Sequence, residues 1–223
     1  SVISELNTSS RKIWTAEDPI EITQSGLRQV QINTRIGWTF AAAMRSFLRA
    51  DPDVIMIGEM RDEETARIAI EASLTGHLVL STLHTNSAPE SVARLLEIGL
   101  DPFNFSDSLL AILAQRLVRR LCTHCRESVV ADGDMLQSIA SQYLESSASN
   151  SPEARTALIQ RWRQTHGKQG DQIHLWRRCG CPECDQTGYR GRMGIHELML
   201  SDDAIRQHIR HRASATAGRL AAR

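Results

Sequence analysis

The chain has 223 residues, 41% of them hydrophobic and 4% aromatic, and its 26 basic and 26 acidic side chains balance to zero formal charge. That length is ample for a core of Ile, Leu, Val, Met and Ala, and the charge balance argues against a general attraction to nucleic-acid phosphates. No apolar stretch reaches the roughly 18 residues that span a bilayer. The opening Ser1-Val2-Ile3-Ser4-Glu5 also lacks the basic and apolar regions of a signal peptide, so a cytosolic chain is expected. The zero balance hides an asymmetry: residues 1–115 hold 9 Lys+Arg and 15 Asp+Glu, and residues 116–223 hold 17 and 11.

In chain order, Arg11-Lys12-Ile13-Trp14-Thr15 reads as a short strand entering the acidic turn Glu17-Asp18-Pro19. A helix is expected over 39–49. Val54-Ile55-Met56-Ile57, between Asp51-Pro52 and Gly58, is the continuous apolar run of a strand buried on both faces. A helix follows, with Asp62-Glu63-Glu64 in its first turn, an apolar side of Ile68, Ala69, Ala72 and Leu74, and Gly76 as its stop. Leu78-Val79-Leu80-Ser81-Thr82 is a further strand. Helices are then expected over 88–98, stopped by Gly99, and over 107–121, where Leu110, Leu113, Leu117 and Leu121 recur at helical spacing. Strands alternating with helices predict an α/β fold with a largely parallel sheet.

Beyond residue 125 the composition turns polar. Residues 126–178 read as an insert of two short helices joined by a flexible link, Ser146-Ser147-Ala148-Ser149-Asn150-Ser151-Pro152. A Gly- and Arg-rich passage over 188–194 leads into an amphipathic segment with Ile195 and Leu198. The last dozen residues read as a frayed helix or disorder.

Three segments carry polar groups suited to chemistry. The turn at Glu17-Asp18-Pro19 sits at a strand end, the edge where parallel α/β sheets bind ligands. Its carboxylates can hold a divalent metal, orient a water, or simply be solvated. Glu59 ends an apolar strand, as does the metal-side acid of nucleoside triphosphatases, with Arg49 and Arg61 as candidate surface partners. After the next strand, Ser81, Thr82, His84, Thr85 and Asn86 gather without a Gly-x-Ser-x-Gly elbow. A phosphate-sensing His fits them better than a nucleophilic triad, and a structural His is the bland alternative.

The cysteines are a separate signal. Cys122-Thr123-His124-Cys125 and Cys181-Pro182-Glu183-Cys184 are two C-x-x-C pairs separated by 55 residues, with Cys179 to spare. A zinc site of four thiolates needs two such knuckles brought together, although the spacer far exceeds the roughly 15–20 residues of a zinc ribbon. Two free thiol pairs, or a redox pair at a strand-to-helix turn, are the alternatives.

Together, Trp14-Thr15-Ala16-Glu17-Asp18-Pro19-Ile20-Glu21, the stretch from Asp51 through Gly58-Glu59-Met60-Arg61-Asp62, Thr75-Gly76-His77 through Leu83-His84-Thr85-Asn86, and Gln115-Arg116-Leu117-Val118-Arg119-Arg120-Leu121-Cys122 closely resemble the secretion ATPases of type II secretion and type IV pilus assembly. The resemblance covers about 11–125 and 179–200. It implies a RecA-like core over 1–121, a tetracysteine module over 122–185 containing the insert, and a C-terminal segment over 186–223. It further implies hexameric rings, ATP with Mg²⁺, and work on an inner-membrane platform protein from the cytoplasmic side.

Carried over by position, Glu17 polarises the attacking water and Glu59 holds the metal's water. Asp18, His77, His84 and Arg192 lie toward the nucleotide, and Cys122, Cys125, Cys181 and Cys184 bind Zn²⁺. The departure is the phosphate loop. No Gly-x-x-x-x-Gly-Lys-[Ser/Thr] occurs, and the only Gly-Lys, Gly167-Lys168, is followed by Gln169. The expected function is therefore the C-terminal portion of a motor ATPase, inactive alone. A non-catalytic interaction module keeping the zinc site, or a zinc-ribbon nucleic-acid binder using the basic half, are the rivals.

Overall fold

A computed structural model describes residues 2–145, 150–168 and 171–211 of the chain. The closing residues 212–223 and the link residues 146–149 lie outside that description. The described residues fall into two units, 2–115 with 196–211, and the described part of 116–195.

The first unit opens with a short helix α1 (Val2–Leu6) and is built on strands β1 (Ile13–Glu17) and β2 (Leu27–Gln31), helix α2 (Phe40–Phe47), strand β3 (Val54–Ile57), helix α3 (Glu63–Leu74) and strand β4 (Leu78–Ser81). All four strands run parallel in the order β2-β1-β3-β4. Thr15 stands opposite Gln29 on one side and Met56 on the other. Parallel strands need covered faces, and the residues supply them. Ile55 and Ile57 pack with Met44 and Phe47 of α2 and with Ile68, Ala69 and Ala72 of α3. Trp14 leans on Phe47 with ring centroids 5.1 Å apart.

Helix α3 begins where Asp62 caps it: Oδ1 accepts from the Thr65 backbone N–H (2.8 Å) and Oδ2 from the Thr65 hydroxyl (2.9 Å). Asp62→Ala is expected to cost about 1 kcal/mol of stability, the usual worth of such a cap, measured by urea unfolding. A value near zero would mean that packing alone sets this helix start. Helices α4 (Ala88–Ile98, ending at Gly99) and α5 (Pro102–Ser108) complete this part of the unit. A second apolar cluster joins Ala66, Leu95, Leu100 and Phe105 with Met199, Ile205 and Ile209 from the chain's return.

The expected helix over 107–121 is overturned. Helix α5 ends at Ser108, and strand β5 (Ala111–Leu121) follows, pairing with strand β8 (Tyr189–Leu200), after which comes helix α8 (Asp203–Arg210). The Leu spacing misled because three of the four do not face a core: Leu110, Leu113 and Leu117 are 66%, 56% and 59% exposed. Ile112 and Ala114, two apart, are the ones packed against the second cluster, so the two-residue period of a strand prevails.

In the second unit, the polar insert is a folded element. Strands β6 (Glu127–Val130) and β7 (His174–Arg177) pair antiparallel with Glu127 opposite Arg177. Between them, helices α6 (Gly133–Leu144) and α7 (Pro152–His166) close on a small core of Leu136, Ala140, Leu158, Ile159 and Ile173. Tyr143 meets Trp162 edge-on at 5.7 Å.

Candidate functional site

The register of the parallel sheet decides which side chains share its C-terminal edge. Ala16 pairs with Ile57, so β1 and β3 end side by side, and Glu17 and Glu59 leave adjacent strands at the same edge. Ile57 in turn pairs with Ser81, which brings the start of the His84 loop beside Glu59.

Glu59 is held by its backbone neighbours. The Gly58 N–H donates to Ala16 O (2.7 Å), the Met60 N–H donates to Thr82 O (3.2 Å), and the Thr82 hydroxyl donates to Gly58 O. A Cβ on Gly58 would sit 3.1 Å from Ala16 O, a tight contact that the end of β1 would have to give way to. The Glu59 side chain is nearly buried, and its Oε2 meets Arg61 Nε at 2.5 Å and His84 Nε2 at 3.4 Å. Arg61, first read as a surface pairing residue, is thus the closest cation to the carboxylate that the resemblance assigns to the metal side.

Glu17 is half-buried, and its Oε1 accepts from the Thr15 hydroxyl (2.5 Å) and Gln29 Nε2 (3.0 Å). Asp18 follows at the exposed turn, joined to Pro19 by a cis peptide bond. His77 is not at this edge. It precedes β4, at the opposite end of the strand, where its Nδ1 bonds Ala72 O (3.0 Å) at the end of α3. Arg192 stands on β8 in the second unit.

The four predicted cysteines do come together. Their sulfurs all lie within 4.8 Å of one another, with Cys122 to Cys181 and Cys125 to Cys184 at 3.9 Å and Cys181 to Cys184 at 3.7 Å. A tetrahedron of thiolates about 2.3 Å from a zinc ion has edges of about 3.8 Å. The cluster is therefore of a size to hold a metal ion.

The second knuckle is shaped by its backbone: the Cys181 and Gly188 N–H groups both point at Cys184 Sγ, at 3.3 and 3.2 Å. Gly188 has a φ of +74°, and a Cβ there would sit 2.9 Å from Arg178 Cβ. Burial pushes the Cys125 thiol up to about 12, with its three cysteine neighbours adding to the rise. Burial pushes Cys184 up as well, but the two backbone donors and the hydrogen bonds from the Cys181 and Cys125 thiols together outweigh it and bring the thiol down to about 7. Cys184 is thus the easier of the two to ionise. Cys179 is exposed and stands apart from the cluster.

The parallel sheet with helices on its faces and acidic groups at its C-terminal edge is a RecA-like α/β arrangement. The type II/IV secretion system protein family model matches residues 1–222, and the chain belongs to that family. It is 46% identical over 215 residues to the type II secretion system ATPase E of Vibrio cholerae, covering 96% of this chain and 38% of that protein. It is 44% identical over 216 residues to the type IV pilus assembly ATPase PilB of Thermus thermophilus, covering 97% of this chain and 22% of that one. The structure of the pilus retraction motor PilT with bound ADP superposes with a TM-score of 0.56 at 27% identity, over 95% of this chain and 45% of that one. The chain thus spans well under half the length of these curated relatives.

Proposed function

We propose that the chain is the C-terminal portion of a hexameric motor that hydrolyses ATP with Mg²⁺ to drive type II secretion or type IV pilus assembly. It would act on an inner-membrane platform protein from the cytoplasmic face. The observation that carries this reading is the placing of Glu17, Glu59 and the His84 loop at one edge of three adjacent parallel strands. Phosphoryl transfer needs positioning and charge neutralisation rather than a covalent nucleophile, and this edge offers both. Glu17 orients the attacking water. Glu59 holds the metal's water shell. His84, 84% exposed and already on Glu59, turns toward the γ-phosphate. Asp18 stands at the same turn as Glu17, and Arg192 is assigned to the nucleotide from the family resemblance. His77, whose Nδ1 bonds Ala72 O at the end of α3, is likewise assigned toward the nucleotide from the family resemblance alone.

Cys122, Cys125, Cys181 and Cys184 hold a structural Zn²⁺. The ion supplies no chemistry here beyond tying the two knuckles together, and the fit rests on sulfur spacings close to those of a thiolate tetrahedron.

The test separates the two carboxylates in the parent protein carrying its phosphate loop. Glu17→Gln is expected to leave nucleotide binding nearly intact while slowing hydrolysis at least a hundredfold, within the usual worth of acid–base and water-positioning groups. Glu59→Gln is expected to slow hydrolysis and also to raise the Mg²⁺ concentration that activity requires. Equal loss of nucleotide binding in both variants would mean that this division of roles is wrong. The alternative reading is a non-catalytic interaction module that keeps the four-cysteine cluster. A parent reading frame that also lacks a Gly-rich Lys-Thr loop would decide for it.

A further inference from the structure

Glu17 can orient a water only if its own rotamer is fixed, and the structure fixes it from one side. Thr15 and Glu17 are two apart on β1, so their side chains share a face, and Gln29 stands directly opposite Thr15 on β2. Thr15 is a buried polar residue, 1% exposed, on a strand otherwise apolar toward the core. Its hydroxyl donates to Glu17 Oε1 at 2.5 Å, and Gln29 Nε2 donates to the same oxygen at 3.0 Å.

The Gln29 amide has no freedom to flip. Its Oε1 accepts the Gln24 backbone N–H at 2.7 Å, and Nε2 also donates to Ile22 O at 3.0 Å. Reversing the amide would set its oxygen against a carbonyl and a carboxylate, so the network itself dictates the orientation. Both donors converge on Oε1. Among the described residues Oε2 has no partner.

We infer that Thr15 and Gln29 are positioning residues that hold Glu17 by Oε1 so that Oε2 alone accepts from the attacking water. This rests on the assignment of Glu17 to that water. The two donors act through Glu17 and touch neither nucleotide nor metal. Gln29 also pins the 22–24 turn through Ile22 and Gln24, so the edge strand β2 reports on the Glu17 carboxylate. Misplacing a water-orienting group by about an ångström costs rate rather than affinity.

The experiment uses the parent protein carrying its phosphate loop, with kcat and the KM for ATP measured separately. Thr15→Val and Gln29→Leu are each expected to lower kcat about ten- to a hundredfold with KM unchanged, and Thr15→Ser, which keeps the donor, to restore most of the rate. In a Glu17→Gln background neither substitution should lower the residual rate further, because the group they position is already gone. Gln29→Leu lies on the outer strand and keeps the test open if Thr15→Val weakens the sheet. Unchanged kcat in both single variants, with Glu17→Gln inactive, would overturn the clamp and leave the role of Glu17 standing. Losses that multiply with that of Glu17→Gln would overturn it too, as the mark of general damage. Full turnover by Glu17→Gln itself would remove the assignment and the inference together.

Discussion

Assayed alone, the 223-residue chain is expected to hydrolyse no ATP above background, although Glu17, Glu59 and His84 stand at one sheet edge. A phosphate loop supplies several backbone N–H donors and one Lys aimed at the phosphates. Each charge-assisted bond contributes roughly 1.5–3 kcal/mol, so losing three or four removes on the order of 5–10 kcal/mol from binding and transition state together. That is roughly four to seven powers of ten in rate. The groups present cannot substitute, since two of the three are anionic and repel an uncradled triphosphate. Joining the chain to a segment that carries a phosphate loop should restore turnover, most strongly where rings form. Mg²⁺-dependent hydrolysis by the 223 residues alone, abolished by Glu17→Gln, would mean a phosphate site elsewhere in this chain.

Purified protein is expected to carry one Zn²⁺ per chain, and Cys122→Ser to reduce it to well under half an equivalent. Structural zinc sites are worth an apparent ~10–16 kcal/mol in small metal-folded peptides at neutral pH, more than the whole stability of many domains. Here Cys122 is fully buried, and its backbone N–H, which Cys122→Ser retains, bonds Gly188 O at 2.9 Å, so the loss reads the missing thiolate ligand itself. Hydrogen exchange should show 116–195 losing protection first while the parallel sheet of the other unit keeps its own.

Metal capture needs deprotonated sulfur, so the affinity should fall as pH falls. Cys125, whose thiol burial pushes up to about 12, should give up a proton when metal arrives. Full protection of 116–195 in a metal-free preparation would mean that the insert's own apolar core holds the unit without zinc.

Much of the sheet was legible because its strands are continuous apolar runs between clear breakers. Val54–Ile57 and the Ala88–Ile98 helix fall on their predicted bounds. Strand β2 escaped notice, since Leu27-Arg28-Gln29-Val30-Gln31 is an edge segment with too few apolar positions to show a period. The 107–121 stretch was misread because its leucines satisfy a helical spacing, whereas Leu113 and Leu117 stand exposed on a strand face that they share with Gln115 and Arg119.

At the site, Glu17, Glu59 and His84 were visible as polar groups after apolar strands. Gln29 was not, because its importance depends on standing opposite Thr15, and register between distant strands leaves no local trace. His77 belongs to the same motif but stands one strand length from His84, at the other end of β4, a separation that only the strand's bounds reveal.

The antiparallel pairing of Glu127 with Arg177 changes what the long spacer between the knuckles means. Closing a flexible loop of 55 residues instead of about 15 costs only about 1 kcal/mol more, because the entropy grows with the logarithm of length. Once β6 and β7 are zipped, even that difference is gone. The thiols are then joined by two short arms, 125–127 and 177–181, whatever is looped out beyond them. The insert behaves as a cassette: it can be shortened, lengthened or exchanged at its helical end without the metal site registering the change, provided the two strands at its neck remain.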